Sequence, residues 1–175
     1  MGSRSVSQVC EDCLDHEELL KGCNLFVQSV CGNFGYGDLF SKGDNADAMI
    51  AKFSKTPFQW IGKDPDKATA CANAGSLVLG GLTKAGMSYD NKLGVKIEAS
   101  MGHVVVIAPG GPSNAGKLKL ANGQMQDMRG GYPYCYGGAA IPKYRIKSRL
   151  QVDAVFPSVV LRDVVYAYLD VVASK

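Results

Sequence analysis

The sequence lacks most of the patterns by which large functional classes are recognised. It contains only two histidines, His16 and His103, so imidazole chemistry has two candidate positions. No apolar run reaches the roughly 18 residues that cross a bilayer, and we therefore expect no membrane insertion. The 19 basic and 16 acidic residues are spread along the chain, without the basic cluster of a nucleic-acid footprint. These absences argue against integral membrane proteins and against nucleic-acid-binding proteins.

The N-terminal segment 1–10 also lacks the apolar stretch of a cleaved secretory signal. We therefore expect a protein that is made in the cytoplasm without a signal peptide. Neither G-x-S-x-G nor H-E-x-x-H occurs, which argues against the serine hydrolases and zinc peptidases that carry those motifs. Of the 175 residues, 46% are hydrophobic, enough for one domain with a buried core. We see no internal repeat and predict a single domain over residues 1–175.

Apolar residues recur at helical spacing through the first half of the chain. The pattern predicts a helix over residues 6–20 and a second helix that begins at or just before Cys23 and ends at Gly32. A third predicted helix, over residues 44–53, begins with aspartate and asparagine, which are good N-terminal caps. A short alanine-rich helix is predicted to open at Pro65, because proline is tolerated in a first helical turn.

Short β-branched segments bounded by glycine and proline dominate the second half of the chain. The strand signal is strongest where Val-Val-Val-Ile-Ala follows His103. The predicted strands cover residues 76–82, 104–108, 132–139, 144–155 and 159–172, the last of which also fits a helix. Residues 109–131 are polar and glycine-rich and are predicted to be a long connection. Helices followed by strands indicate an α+β fold, with N-terminal helices packed on an antiparallel β-sheet.

Cys23 and His103 occupy the positions that best suit catalysis. Cys23 is predicted at the N-terminal end of a helix, where free backbone N–H groups and the helix dipole stabilise a thiolate. His103 begins the strongest strand, so its ring is expected at the rim of the sheet. A thiolate beside an imidazole is an activated nucleophile, and an N–H group at the helix start helps to bind the oxyanion. We predict that Cys23 is the nucleophile and His103 the base in amide hydrolysis; an inert cysteine and a structural histidine are the alternatives.

The remaining histidine and cysteines are predicted to be non-catalytic. His16 lies on a charged helical face and is expected to be solvated. Cys31 and Cys71 lie on apolar helix faces, where cysteine acts as a small hydrophobic residue. Cys10-x-x-Cys13 is half of a zinc site, but no second pair completes it, so helix packing or a bridge to the distal chain is favoured. Disulfide pairing is left open among Cys10, Cys13, Cys31, Cys71 and Cys135.

Residues 111–117 fit G-x-x-x-x-G-K, the pattern of a phosphate-binding loop. The next residue is Leu118, where magnesium coordination requires serine or threonine, and the segment that follows is a poor helix. Nucleotide binding through Lys117 remains an alternative, which predicts a thermal shift with Mg-ATP.

Several segments together resemble one family. They are Gly-Cys-Asn-Leu-Phe-Val-Gln-Ser-Val at 22–30, Gly-Asp-Asn-Ala-Asp-Ala-Met at 43–49, Gly-His-Val-Val-Val-Ile at 102–107, Tyr-Pro-Tyr-Cys-Tyr-Gly at 132–137, Ile-Lys-Ser at 146–148 and residues 162–169. In this order they resemble the amidase effectors of type VI secretion systems, small cysteine peptidases of the NlpC/P60-like, papain-related superfamily. The resemblance covers most of the chain.

The resemblance implies a function as well as an NlpC/P60, papain-like core. Cys23 and His103 would hydrolyse the diaminopimelate-type peptide stems or cross-links of Gram-negative peptidoglycan, without a metal or cofactor. The D-alanyl–diaminopimelate cross-link is favoured over the γ-D-glutamyl–diaminopimelate bond. The type VI secretion apparatus would deliver the protein into the periplasm of a rival cell, and a cognate immunity protein would protect the producer.

The third residue of the site departs from the family pattern. Read without gaps, its position on the strand after the histidine is Gly137, which has no side chain. Cys135, Tyr136 or a backbone carbonyl are the candidate substitutes, and the third member is left unassigned. This missing side chain motivates the alternative of a catalytically idle wall- or protein-binding module of the same fold. The segments 84–101 and 109–129 look longer than in compact members, which we expect to alter the bond that is cut.

Overall fold

The structure, a computed structural model, describes residues 4–119, 123, 125–141, 145 and 147–171. The helices are α1 (Val6–Leu14), α2 (Glu17–Leu20), α3 (Cys23–Asn33), α4 (Ala46–Ile50), α5 (Pro65–Asn73), α6 (Lys84–Met87) and α7 (Val152–Val155). Short 3-10 turns cover Gly37–Leu39 and Leu161–Asp163. None of the described helices is long and apolar enough to cross a membrane.

An antiparallel sheet of six strands forms the centre of the fold, in the order β1-β10-β2-β5-β8-β9. Its strands are β1 (Gln59–Gly62), β2 (Leu77–Leu82), β5 (His103–Ala108), β8 (Tyr134–Tyr136), β9 (Leu150–Gln151) and β10 (Val165–Leu169). Two separate hairpins pair β3 (Tyr89–Asp90) with β4 (Lys96–Ile97) and β6 (Gly116–Lys119) with β7 (Met125–Met128). The described structure confirms an α+β fold with helices and an antiparallel sheet.

The sheet is covered on both faces, because alternate residues of a strand point to opposite sides. In β5, Val104 and Val106 join the core formed by α1–α4, whereas Val105 and Ile107 join the core under α5 and α7. All four valine and isoleucine side chains are buried. This explains why β5 reads as a continuous β-branched run rather than as an alternating pattern. The strand that begins with His103 is therefore held rigidly between two layers.

Local signals set the helix starts as the sequence predicts. Asn45 caps α4, its Oδ1 accepting the N–H of Ala48 at 2.9 Å. Asp64 caps α5 and Pro65 occupies its first turn. Helix α3 begins at Cys23 as predicted and extends one residue beyond Gly32 to Asn33.

Several other sequence predictions are wrong in extent or type. The helix predicted over 6–20 is two helices, because the backbone at His16 is extended, with φ −99° and ψ 100°. In the strand predicted over 144–155, the pairing ends at Gln151 and α7 follows; residues 144 and 146 lie outside the described residues. In the segment 159–172, a 3-10 turn precedes β10, and residue 172 is not described. The connection 109–131 contains the β6–β7 hairpin, whose two four-residue strands hold no β-branched or aromatic residue to indicate a strand.

Candidate active site

The thiol of Cys23 lies where the start of α3 meets the sheet. The side chain is 7% exposed. Backbone N–H groups of Val104, Asn24 and Cys23 itself lie near its sulfur and act to lower its pKa. Val104 follows His103 directly, so the sulfur lies beside the part of β5 that carries the histidine.

His103 is the first residue of β5 and pairs with Leu82, the last residue of β2. Its side chain is half-buried. The imidazole packs edge-on against the Phe156 ring, with centroids 5.7 Å apart and an interplanar angle of 70°. The histidine therefore lies at the rim of the sheet, as the sequence predicts, and an aromatic ring restricts its orientation.

Cys23 and His103 line one cleft with a volume of about 420 Å³. The described part of its lining holds no aspartate, glutamate, lysine or arginine, and its uncharged polar side chains include Ser100 and Gln126. The larger apolar side chains of the cleft are Met87, Met101, Val105, Ile141, Leu150, Val155 and Phe156. An apolar cleft that holds the Cys23 thiol and one imidazole is suited to nucleophilic catalysis on a neutral acyl group.

Burial raises the pKa of the Cys23 thiol above its ordinary value, and the three backbone N–H groups lower it by a smaller amount. The expectation of a thiolate stabilised by the helix N-terminus is therefore wrong for the free protein. The helix-end N–H groups act on the sulfur as predicted, but removal from water has the larger effect. Cys23 is a neutral thiol at neutral pH.

Burial among apolar groups lowers the pKa of His103 to about 4. The imidazole is therefore neutral at neutral pH and has a free lone pair to accept a proton. The resting pair is a neutral thiol and a neutral imidazole rather than an ion pair. Nucleophilic attack by the Cys23 sulfur would therefore require the transfer of its proton to a base.

The neutral state of His103 makes stability depend on pH. Below about pH 6.5 the imidazole of the unfolded chain takes up a proton, whereas the imidazole of the folded protein does not. The free energy of unfolding is therefore highest above pH 6.5 and falls as the pH drops towards 4. Between pH 7.5 and 5 the wild type is expected to lose about 1 to 2 kcal/mol more unfolding free energy than His103→Gln. Urea unfolding at both pH values measures this. His16→Gln is the control, at an exposed histidine outside the cleft. Equal pH dependence in wild type, His103→Gln and His16→Gln would contradict a neutral, half-buried His103.

The candidates for the third site residue differ in whether they line the cleft. Tyr136 faces away from the cleft, and its hydroxyl lies 3.2 Å from Glu11 Oε1. Cys135 and Gly137 both line the cleft, and Cys135 is buried. Within the described residues no side chain hydrogen-bonds to the His103 ring. The third member stays unassigned.

The chain matches no protein-family model and no curated protein.

The remaining sequence candidates lie away from the cleft. His16 is exposed, with Nδ1 3.4 Å from Glu18 Oε1. All six cysteines are free thiols, and Cys10 and Cys13 are buried in the core formed by α1–α4. Among the residues that the structure describes, no three histidine, cysteine or acidic side chains group as metal ligands do. Lys117 lies in strand β6 and not before a helix, so the N-terminal amides of a phosphate-binding loop are missing there.

Sequence reasoning missed the walls of the cleft. Phe156 follows α7, whose apolar run reads as part of a strand, and Gln126 comes from the β6–β7 hairpin. Met87 belongs to α6, a helix of one turn whose only local signal is the Thr83 cap. Gly123, in the five residues between 116–119 and 125–128, was the one available signal for the hairpin.

Proposed function

We propose that this chain is a peptidoglycan amidase that cuts an amide bond of diaminopimelate-type stems or cross-links by cysteine catalysis. The observation that carries the proposal is that Cys23 and His103, distant in sequence, line one cleft at the end of the sheet. An activated cysteine requires a base within reach of its thiol. Helix α3 supplies the cysteine and β5 the histidine, the arrangement expected of an NlpC/P60-like core.

The chemistry follows from the neutral resting pair. His103 accepts the thiol proton while the sulfur of Cys23 attacks the amide carbon, and N–H groups at the start of α3 stabilise the oxyanion. The imidazolium then returns that proton to the departing amine, leaving a thioester on Cys23. Water, deprotonated by His103, hydrolyses the thioester and restores the thiol. His103 accepts and returns the proton in both half-reactions, so these steps need no metal or cofactor.

The uncharged lining of the cleft favours one type of bond. On the carbonyl side of the scissile bond, a γ-D-glutamyl group would bring its α-carboxylate into a cleft whose described lining includes no lysine or arginine, whereas a D-alanyl group brings no charge. The methyl group of D-alanine suits the apolar wall instead. This supports hydrolysis of the D-alanyl–diaminopimelate cross-link.

The biological setting of the proposal comes from the family resemblance. The segments around Cys23 and His103 resemble the amidase effectors of type VI secretion systems. We propose that the protein is exported by that apparatus without a signal peptide, acts in the periplasm of a target Gram-negative cell and is neutralised in the producer by a cognate immunity protein.

Digestion of purified diaminopimelate-type peptidoglycan, read by mass spectrometry, tests the proposed activity. Wild-type protein is expected to convert cross-linked muropeptide dimers into monomers, each hydrolysed bond adding one water. Heat-denatured protein is the control. Release of fragments cut at the glutamyl bond would correct the bond assignment, and an unchanged profile from folded protein would contradict the amidase.

The second candidate is a catalytically idle binding module of the same fold. The lack of a side chain at Gly137, which lines the cleft, favours it. It predicts that the protein sediments with insoluble peptidoglycan while the muropeptide profile stays unchanged. Fragments in the supernatant would exclude it.

A further inference from the structure

A second groove, with a volume of about 640 Å³, lies at the same end of the sheet as the catalytic cleft. It is formed where β1 and β2 end, where β10 begins, and along α6. The side chains of Ile50, Leu82 and Val165 contribute apolar surface to it. The function proposed above uses no residue of this groove.

The groove contains Trp60, the only tryptophan of the chain. Trp60 lies on the edge strand β1 and is 49% exposed. Its Nε1 lies over Gly62, and a Cβ added at Gly62 would be 3.5 Å from that nitrogen. The backbone of Gly62 has a φ of +86°, a conformation that favours glycine. Val159, 50% exposed, and the half-buried Tyr89 line the same groove. Apolar and aromatic surface is thus left in contact with water.

The charged groups of the groove balance one another. Lys63 and Asp163 form an ion pair of 2.7 Å, and Arg162 and Asp90 are exposed. Two positive and two negative side chains give no net attraction for a charged polymer. They do offer hydrogen-bond donors and acceptors around an aromatic ring, a combination suited to a neutral ligand with many hydroxyl and amide groups.

The groove and the catalytic cleft are neighbours. Leu82 of the groove pairs directly with His103 of the cleft. The helix α6 separates them, with Gly86 in the groove and Met87 in the cleft. Strand β1 is three strands from β5, and Trp60 lies in register with Val106, three residues along β5 from His103, which places Trp60 roughly 18 Å from His103. An extended peptide of about five residues spans about 18 Å.

We propose that this groove binds the N-acetylhexosamine chain of peptidoglycan, with Trp60 packed against the apolar face of a sugar ring. The glycan is held there while its peptide stem reaches Cys23. The choice of substrate rests on the proposed amidase function, but saccharide binding is measurable without any hydrolysis.

Tryptophan fluorescence tests the groove directly, since Trp60 is the only emitter of its kind. Titration with the N-acetylglucosamine tetramer, which has no peptide, is expected to give a saturable blue shift with a dissociation constant of about 1 mM. By calorimetry, Trp60→Ala should weaken binding by about tenfold or more. Leu93→Ala, a control at a residue 87% exposed outside the groove, should bind normally. No saturation at about 10 mM, or unchanged affinity in Trp60→Ala, would overturn the proposal.

Two substrates then separate glycan binding from catalysis. Trp60→Ala is expected to cut a soluble cross-linked peptide, lacking sugars, at the wild-type rate and to digest intact peptidoglycan about tenfold more slowly. Equal rates of wild type and Trp60→Ala on intact peptidoglycan would overturn the proposed glycan site. If wild type cuts neither substrate, the amidase proposal fails, whereas the tetramer titration still decides whether the groove binds saccharide.

Discussion

Cys23→Ala is expected to lower the rate of peptidoglycan hydrolysis by about 10⁴-fold or more while the protein remains folded. The sulfur forms the covalent bond to the acyl group, and alanine has no atom to replace it. The stability cost should be about 1 kcal/mol, because one buried atom is removed from a helix end. The release of muropeptides measures the rate of hydrolysis, and thermal unfolding measures the stability.

Cys13→Ala is the matched control for that variant. Cys13 is 4% exposed against 7% for Cys23, and its sulfur lies 3.6 Å from Ser29 Oγ in the helical core rather than in the cleft. The two variants should lose similar stability, but Cys13→Ala should keep wild-type activity. Loss of folding in Cys23→Ala would mark Cys23 as a structural residue, and unimpaired hydrolysis would show that another group is the nucleophile.

Gly138→Ala is expected to have a large effect on both stability and activity, although residue 138 performs no chemistry. A Cβ there would lie 2.7 Å from the carbonyl oxygen of Gly22 and 2.8 Å from that of Leu19. The next residue, Ala139, donates its N–H to Leu20 O at 2.9 Å, so this segment fixes the loop before Cys23. Backbone atoms must therefore shift next to the nucleophile.

We expect Gly138→Ala to lose about 2 to 3 kcal/mol of unfolding free energy and about 100-fold in hydrolysis rate. Gly137→Ala is the matched control, because its Cβ would lie no closer than 3.4 Å to the Val105 side chain and 3.7 Å to the Val104 carbonyl oxygen. That variant should keep most of its stability and activity. Denaturant unfolding measures the stability of both variants, and initial rates measure their activity. Equal losses in Gly138→Ala and Gly137→Ala would contradict the close approach of residue 138 to the loop.

The parts of the site set by local signals could be predicted from the sequence. Cys23 lies at a helix start because Gly22 interrupts one apolar pattern and the next residue begins another. His103 begins a strand because a β-branched run follows it. Neither inference needs knowledge of distant contacts.

The protonation states and the cleft walls could not be predicted, because both depend on distant packing. The sequence places helix-end N–H groups near the Cys23 sulfur, but only the packed structure shows that burial outweighs them. The pKa of His103 is lowered by surroundings that include Phe156, which is distant in sequence. Gly138 gives no signal in a glycine-rich segment, since its function is to leave room for backbone carbonyls of another element.

The central claim is that Cys23 and His103 act as one catalytic unit. The initial rate of cleavage of a soluble cross-linked muropeptide by Cys23→Ala, by His103→Gln and by the double variant tests it most directly. Residues that act as a unit give strongly non-additive losses. We predict that each single variant is at least about 10³-fold slower than wild type and that the double variant is no slower than the worse single one. His103→Gln that retains the wild-type rate would contradict the account, because the thiol would then have no need of that base.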